Sequence, residues 1–190
     1  MRKLILYIAT SLNGKIARRD GSVEWLEAIP NPEQSDYGYG AFYNSIDTTI
    51  MGYNTYAQII SWGIDFPYSG KKNFVLTRKH DLPQSKEVNF VTKDHISFIK
   101  ELKQQPGTDI WLIGGGQLNT ALFNAGLVDE IHLFVMPIVL PDGIELFEAV
   151  PEEALLNLEE TKSYASGAVS LKYTMRLIFN RNRIPSENVR

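Results

Sequence analysis

The sequence predicts an α/β protein: a mostly parallel sheet covered on both faces, with antiparallel strands added at its C-terminal end. Three observations carry this. Short apolar runs alternate with amphipathic helical stretches through the first two thirds of the chain, the pattern of strands joined by crossover helices. The runs are apolar throughout, as strands buried on both faces must be; Ile110–Trp111–Leu112–Ile113 is the clearest. Residues 168–179 instead alternate. Val169, Leu171, Tyr173, Met175, Leu177 and Phe179 are separated by Ser170, Lys172, Thr174 and Arg176, the period of a strand with one wet face.

In chain order, residues 3–10 form the first strand, which ends in the turn Ser11–Leu12–Asn13–Gly14. Lys15–Ile16–Ala17 continues briefly to a second turn at Arg18–Arg19–Asp20–Gly21. Pro30 and Pro32 break any helix over 22–33, and the Tyr-rich segment 33–45 is helical in its second half, around Ala41–Phe42–Tyr43. Asp47–Met51 is a β-branched strand punctuated by Gly52. Tyr56, Ile59 and Ile60 give one apolar face to the short helix behind it, which takes Asn54 or Thr55 as its cap. A Gly/Pro loop over 63–72 leads to the strand Asn73–Leu76 and the turn Thr77–Arg78–Lys79–His80. Val88–Val91 is a weaker strand. Ile96, Phe98, Ile99, Leu102 and Lys103 fit a helix capped by Thr92 or Asp94, closed by Pro106–Gly107.

The stretch 109–123, DIWLIGGGQLNTALF, organises the rest. A strand runs into Gly114, Gly115 and Gly116, and Gln117 leads into an apolar stripe of Leu118, Ala121, Leu122 and Ala125 at helical spacing. Strand, glycine turn and helix can present backbone N–H groups and a helix N-terminus to a phosphate, and missing Cβ atoms let a ligand lie against the backbone. The alternative is a tight turn that binds nothing. Glu130–Met136 is a further strand, followed by a long turn over 137–143.

With 190 residues, 44% of them hydrophobic and 22% charged, the chain suits one domain over 1–180 with a flexible tail at 181–190. A net charge of −3 and scattered basic residues offer nucleic acid no general attraction. The absence of cysteine excludes thiolate and disulfide chemistry and is compatible with the cytoplasm. The N-terminal apolar run, Leu4 to Thr10, is far too short to span a membrane. His80, His95 and His132 are isolated, so no metal-binding pattern is present. Neither GxSxG, nor GxGxxG with its distal acid, nor a P-loop occurs. Three further turns end predicted strands: Thr10–Ser11, Gly52–Tyr53–Asn54–Thr55, and Thr77–Arg78–Lys79. Ligands of open parallel sheets lie across the carboxyl ends of strands, so these turns and the glycine run favour a molecule with several phosphates.

These pieces resemble the dihydrofolate reductase-like family, and most closely its subgroup containing the bacterial riboflavin-biosynthesis reductase domain. The resemblance rests on SLNGKIA at 11–17, IMGYNTY at 50–56, VLTR at 75–78, IWLIGGGQL at 110–118 and VDEIHLFVMPIVLPDGIELF at 128–147, in family order. It implies a three-layer α/β/α fold with an antiparallel C-terminal hairpin, and NADPH lying across the sheet. Ala9 and the stretch Asn13, Gly14, Lys15 and Ile16 would approach the nicotinamide and its ribose. Gly52, Tyr53, Asn54 and Thr55, together with Gly114, Gly115, Gly116, Gln117 and Leu118, would receive the pyrophosphate. Thr77 and Arg78 would meet the 2′-phosphate. The implied reaction is reduction of a small heterocycle, similar to 5-amino-6-(5-phosphoribosylamino)uracil or to a pterin, by a cytoplasmic homodimer. The alternative is a nucleotide-binding or regulatory protein that keeps the fold without turnover.

Two departures from the family pattern stand out. Tyr53 occupies the place of a common arginine, so Arg78, Lys79 or His80 must supply that charge. The acid nearest to the folate-binding carboxylate position is Asp36. Among Tyr37, Tyr39, Phe42 and Tyr43 its pKa is expected to rise, making it a catalytic acid; the competing reading is a solvated helix cap. Lys15, Arg18 and Arg19 are candidates for a substrate phosphate.

Overall fold

The computed structural model describes residues 1–176, and its strands follow the apolar runs. They are β1 (Leu4–Ser11), β2 (Lys15–Ala17), β3 (Ile46–Gly52), β4 (Lys72–Leu76), β5 (Asn89–Val91), β6 (Asp109–Gly114), β7 (Glu130–Met136), β8 (Ile144–Glu145), β9 (Leu156–Ser163) and β10 (Val169–Met175). The helices are α1 (Tyr39–Ser45), α2 (Tyr53–Ser61), α3 (His95–Gln104) and α4 (Gly116–Asn124), with a 3-10 turn at Glu24–Leu26. Residues 177–179 of the expected last strand and the expected tail at 181–190 lie outside the described residues.

The main sheet has the order β5-β4-β3-β6-β1-β7-β10-β9, parallel from β5 to β7 and antiparallel through β10 and β9. Alternation along β1 explains the layers. Leu4 and Leu6 point to one face, where they pack with Ile99 and Leu102 of α3 and Leu122 of α4. Ile5 points to the other, with Phe42 of α1, Ile59 of α2 and Trp111. Leu4, Leu6, Ile110 and Leu112 are completely buried, worth about 2 kcal/mol each in transfer terms. The result is the expected three-layer α/β/α architecture.

Three details differ from the sequence reading. The N-cap of α2 is Gly52, so Asn54 and Thr55 lie inside the first turn, and no side chain caps it. The glycine-turn helix begins at Gly116 rather than Leu118. The partner of β10 is β9, a strand that is exposed over almost its whole length and carries no apolar periodicity to announce it.

Charges inside the sheet are paired. Lys103 is buried, with Nζ donating to Asp129 Oδ2 at 2.6 Å and to the Leu127 carbonyl at 2.8 Å. Glu130, at the start of β7, accepts from Lys3 Nζ (2.6 Å) and His132 Nε2 (2.8 Å), with Lys172 Nζ of β10 at 3.3 Å. Burial alone would raise the Glu130 pKa. Hydrogen bonds from Lys3, His132 and Lys172 outweigh it and hold the carboxyl at about 2. Burial lowers the pKa of His132, against the pull of Glu130.

Candidate active site

Because β4, β3, β6, β1 and β7 run in one direction and lie side by side, their carboxyl ends share one rim. Along it stand, in spatial order, the turn after β4 (Thr77, Arg78, Lys79), the start of α2 (Gly52 to Thr55), the start of α4 (Gly114 to Leu118), and the loop after β1 (Leu12 to Ile16). Four segments far apart in sequence are thus brought together by strand order alone.

The two helix starts adjoin. A Cβ placed on Gly52 would lie 3.8 Å from the Gly114 carbonyl and 3.9 Å from Gly115 N, and one on Gly115 would lie 3.5 Å from Thr55 Oγ1. Neither helix has a side-chain cap, so the N–H groups of both first turns lack side-chain acceptors. The three glycines have different reasons to be there. Gly114 has φ +121°, which disfavours any side chain, and a Cβ on Gly116 would sit 2.3 Å from the Glu145 carbonyl oxygen. Gly115 has φ −86°, and a Cβ there meets only ordinary contact. Internal packing does not require glycine at Gly115. Asn119 is fully buried one turn into α4, donates to the Leu146 carbonyl at 2.9 Å, and leaves Oδ1 without a partner beside Gly114. Sequence reasoning missed it, because the buried face of α4 is Gly116, Asn119, Thr120 and Leu122 rather than the expected stripe, of which Ala121 is exposed.

At the turn after β4, Thr77 is buried, and its Oγ1 accepts from Lys79 N at 3.0 Å. His95 Nε2 stands 3.1 Å from the Thr77 carbonyl and 3.0 Å from that of Val91, pinning the turn to β5. Arg78 is exposed and makes no ion pair among the described residues. Lys79 Nζ lies 3.8 Å from the centre of the Tyr53 ring, so a cation stands beside the start of α2.

At the other end of the rim, Ser11 Oγ donates to Asn13 Oδ1 (2.8 Å), while Asn13 Nδ2 donates to the Leu140 carbonyl (2.7 Å) and Leu140 N to Asn13 Oδ1 (3.1 Å). The Asn13 amide therefore clasps the loop after β1 to the turn after β7, and only its backbone faces other uses. Gly14 takes φ +81°, which its turn requires. Ile16 lies in β2, paired with β8.

Below this end opens a cavity of about 430 Å³. Ala9 and Tyr7 of β1 and Phe134 and Met136 of β7 form its floor; Leu26, Ile29, Tyr37 and Tyr39 wall it, and Glu27, Asn31 and Asp36 stand at its polar side. The Tyr7 ring stacks on Phe42 at 4.0 Å, and burial pushes its phenol well above the ordinary range, so it stays protonated. Tyr7 shares the face of Ala9 by strand alternation but was not among the predicted residues. Asp36 lines the cavity as expected; its acidity shifts the other way. Oδ1 accepts from Gly38 N (2.8 Å) and Oδ2 from Gly40 N (3.0 Å), and these backbone bonds lower its pKa. Asp36 is exposed and ionised at neutral pH, and it staples the turn that enters α1. It offers acceptors rather than a proton.

The family model described as RibD C-terminal domain matches residues 2–171. The Bacillus subtilis (strain 168) protein YwjB is 38% identical over 172 residues, covering 90% of this chain and 97% of its own. A structure of a Shewanella sp. PV-4 protein named for riboflavin biosynthesis superposes with a TM-score of 0.82 at 29% identity, over 92% of this chain and 99% of the other. Dihydrofolate reductase from Enterococcus faecalis, complexed with NADP(H), shares the fold with a TM-score of 0.67 at 14% identity, over 91% and 96%.

Proposed function

The chain belongs to the RibD C-terminal domain family, and we propose that it is an NADPH-dependent reductase of a small flat heterocycle, working in the cytoplasm as a homodimer without nucleic-acid or membrane partners. No helix among the described residues is long and apolar enough to cross a membrane. The observation that carries the reading is the order of segments along the rim. Arg78 and Lys79 suit the 2′-phosphate, because one lacks a carboxylate partner and the other is held over Tyr53. The uncapped starts of α2 and α4, with Gly52, Tyr53, Asn54, Thr55, Gly115, Gly116, Gln117 and Leu118, suit the pyrophosphate. Ala9 and the backbone of Asn13, Gly14 and Ile16 then lie at the nicotinamide end, next to the cavity.

When bound, NADPH supplies the hydride. The chain's own part is positional. Phe134, Met136 and Ala9 exclude water from the reacting face, and the tyrosine rings wall a flat ring. Asp36, ionised, accepts hydrogen bonds from ring or exocyclic N–H groups and so orients the substrate. Tyr7, protonated, donates one. The test is a titration with NADPH and NADH, then loss of the reduced cofactor's near-ultraviolet absorbance against pterins, ribityl pyrimidines and quinones. Turnover of one class supports the reading. Binding without any turnover favours a nucleotide-binding protein that keeps the fold, and no binding of either dinucleotide refutes both.

A further inference from the structure

The charges around the cavity bear on what it accepts. Its lining carries two acids, Glu27 and Asp36, and no lysine or arginine among the described residues. The cations of β2 and the turn after it already have carboxylate partners. Lys15 is paired with Glu145, Arg18 with Glu24 at 2.6 Å, and Arg19 with Asp142 through two bonds of 2.5 and 2.9 Å. To bind a phosphate, any of them would first have to leave a carboxylate. Lys162 of β9 is the further cation whose charge reaches Asp36. It is exposed, with Nζ 4.9 Å from the Tyr164 ring centre, and it does not line the cavity, whereas Glu27 and Asp36 both do.

The rest of the lining is aromatic and aliphatic, shaped for a flat ring. Each Asp36 oxygen, already accepting one backbone N–H, retains acceptor capacity for a ring or exocyclic N–H. We propose that the cavity selects a nitrogen-bearing heteroaromatic compound, neutral or cationic, that carries no phosphate, and that it discriminates against the phosphorylated form of the same compound. This rests on the reductase reading for its place in catalysis, but the discrimination belongs to the cavity and does not need the cofactor. A dianionic phosphate at the cavity would meet the Glu27 and Asp36 charges, lose water, and find no lysine or arginine in the lining, with Lys162 the single cation among the described residues whose charge reaches Asp36. The rejected class is the one for which Lys15, Arg18 and Arg19 looked suitable in the sequence; each of the three is engaged with a carboxylate, and none of them lines the cavity.

The experiment is calorimetric titration of the full chain with a matched pair, 5-amino-6-ribitylaminouracil and its 5′-phosphate, with and without NADPH. The unphosphorylated compound is expected to bind at least tenfold more tightly. The gap should narrow as salt rises, since the screening length falls from about 10 Å at 0.1 M to about 3 Å at 1 M. It should also narrow in a Glu27→Gln, Asp36→Asn double variant. The salt series on the unaltered protein keeps the test independent of how the variant folds. Equal or tighter binding of the phosphate, a gap insensitive to salt, or binding of neither compound would overturn the proposal. If the gap stands while NADPH fails to bind, the reductase reading falls and this inference survives; if NADPH binds and the gap vanishes, the reverse holds.

Discussion

Glu130→Gln tests how the sheet tolerates a buried carboxylate. A carboxyl whose pKa drops from an ordinary 4.5 to about 2 on folding contributes about 3 kcal/mol to stability at neutral pH, at about 1.4 kcal/mol per decade. Because the folded value is the lower one, this contribution is complete above the unfolded pKa. It is lost as pH falls from about 5 to about 2. Glutamine keeps the size and one acceptor oxygen but not the charge. Lys3 is half exposed and can rehydrate, so the loss at pH 7 should come to about 1–3 kcal/mol. His132, neutral at neutral pH, loses the pull of Glu130 in the variant, so its pKa falls further there and its share of the acid slope differs between the two proteins. The assay is urea denaturation of both proteins at a series of pH values. The difference between them should be greatest near neutrality and close towards pH 2–3. A difference that stays constant across the series would show that Glu130 acts through packing and that its charge is irrelevant.

Four other outcomes follow from the site. Arg78→Ala should weaken NADPH binding by about one to two decades and spare NADH, with Lys79→Ala acting in the same direction but less; equal losses for both dinucleotides in a titration would remove these residues from the 2′-phosphate. Gly115→Val should abolish dinucleotide binding with only a modest shift of the circular-dichroism melt, whereas Gly116→Ala, whose Cβ meets the Glu145 carbonyl at 2.3 Å, should lower the melt itself; the opposite pattern would make Gly115 the packing glycine. Asp36→Asn, which keeps one acceptor oxygen and loses the charge, should raise the substrate KM and lower kcat/KM by about tenfold with NADPH affinity unchanged, and kinetics within about threefold of the parent would exclude it from orienting the substrate. Light scattering at micromolar concentration should give twice the chain mass of 21.5 kDa, and a monomer mass would end the dimer.

The parts of the fold that could be read from sequence were those where burial on two faces leaves no choice of residue. Leu4–Ile5–Leu6 and Ile110–Trp111–Leu112 must be apolar at every position because each neighbour faces a different helix layer. β9 obeys no such demand. Asn157, Glu159, Glu160 and Lys162 lie at the edge of the sheet, and their strand conformation comes from pairing with β10. Asn54 and Thr55 are cap residues by type, yet the extended backbone of Gly52 already holds the cap position, which residue preference alone does not reveal. At the site, three consecutive glycines announced a turn, but only their surroundings separate a positive φ at Gly114 from a packing need at Gly116 and from room for a side chain at Gly115. For Asp36, four aromatic neighbours in sequence pointed to a raised pKa. Two backbone N–H groups, invisible without the turn geometry, decide the other way.

The clasp between the loops after β1 and β7 bears on how this protein can be altered. Asn13 binds the Leu140 backbone in both directions, Leu12 N donates to the Ile138 carbonyl at 2.7 Å, and β2 pairs with β8 a few residues further along. Residues 11–17 and 138–146 are therefore one structural unit, although more than a hundred positions separate them. A chimera that imports only the first loop from a relative would leave the Leu140 amide and carbonyl facing a side chain that does not match. Grafting or shuffling at this end of the molecule has to carry both segments across together.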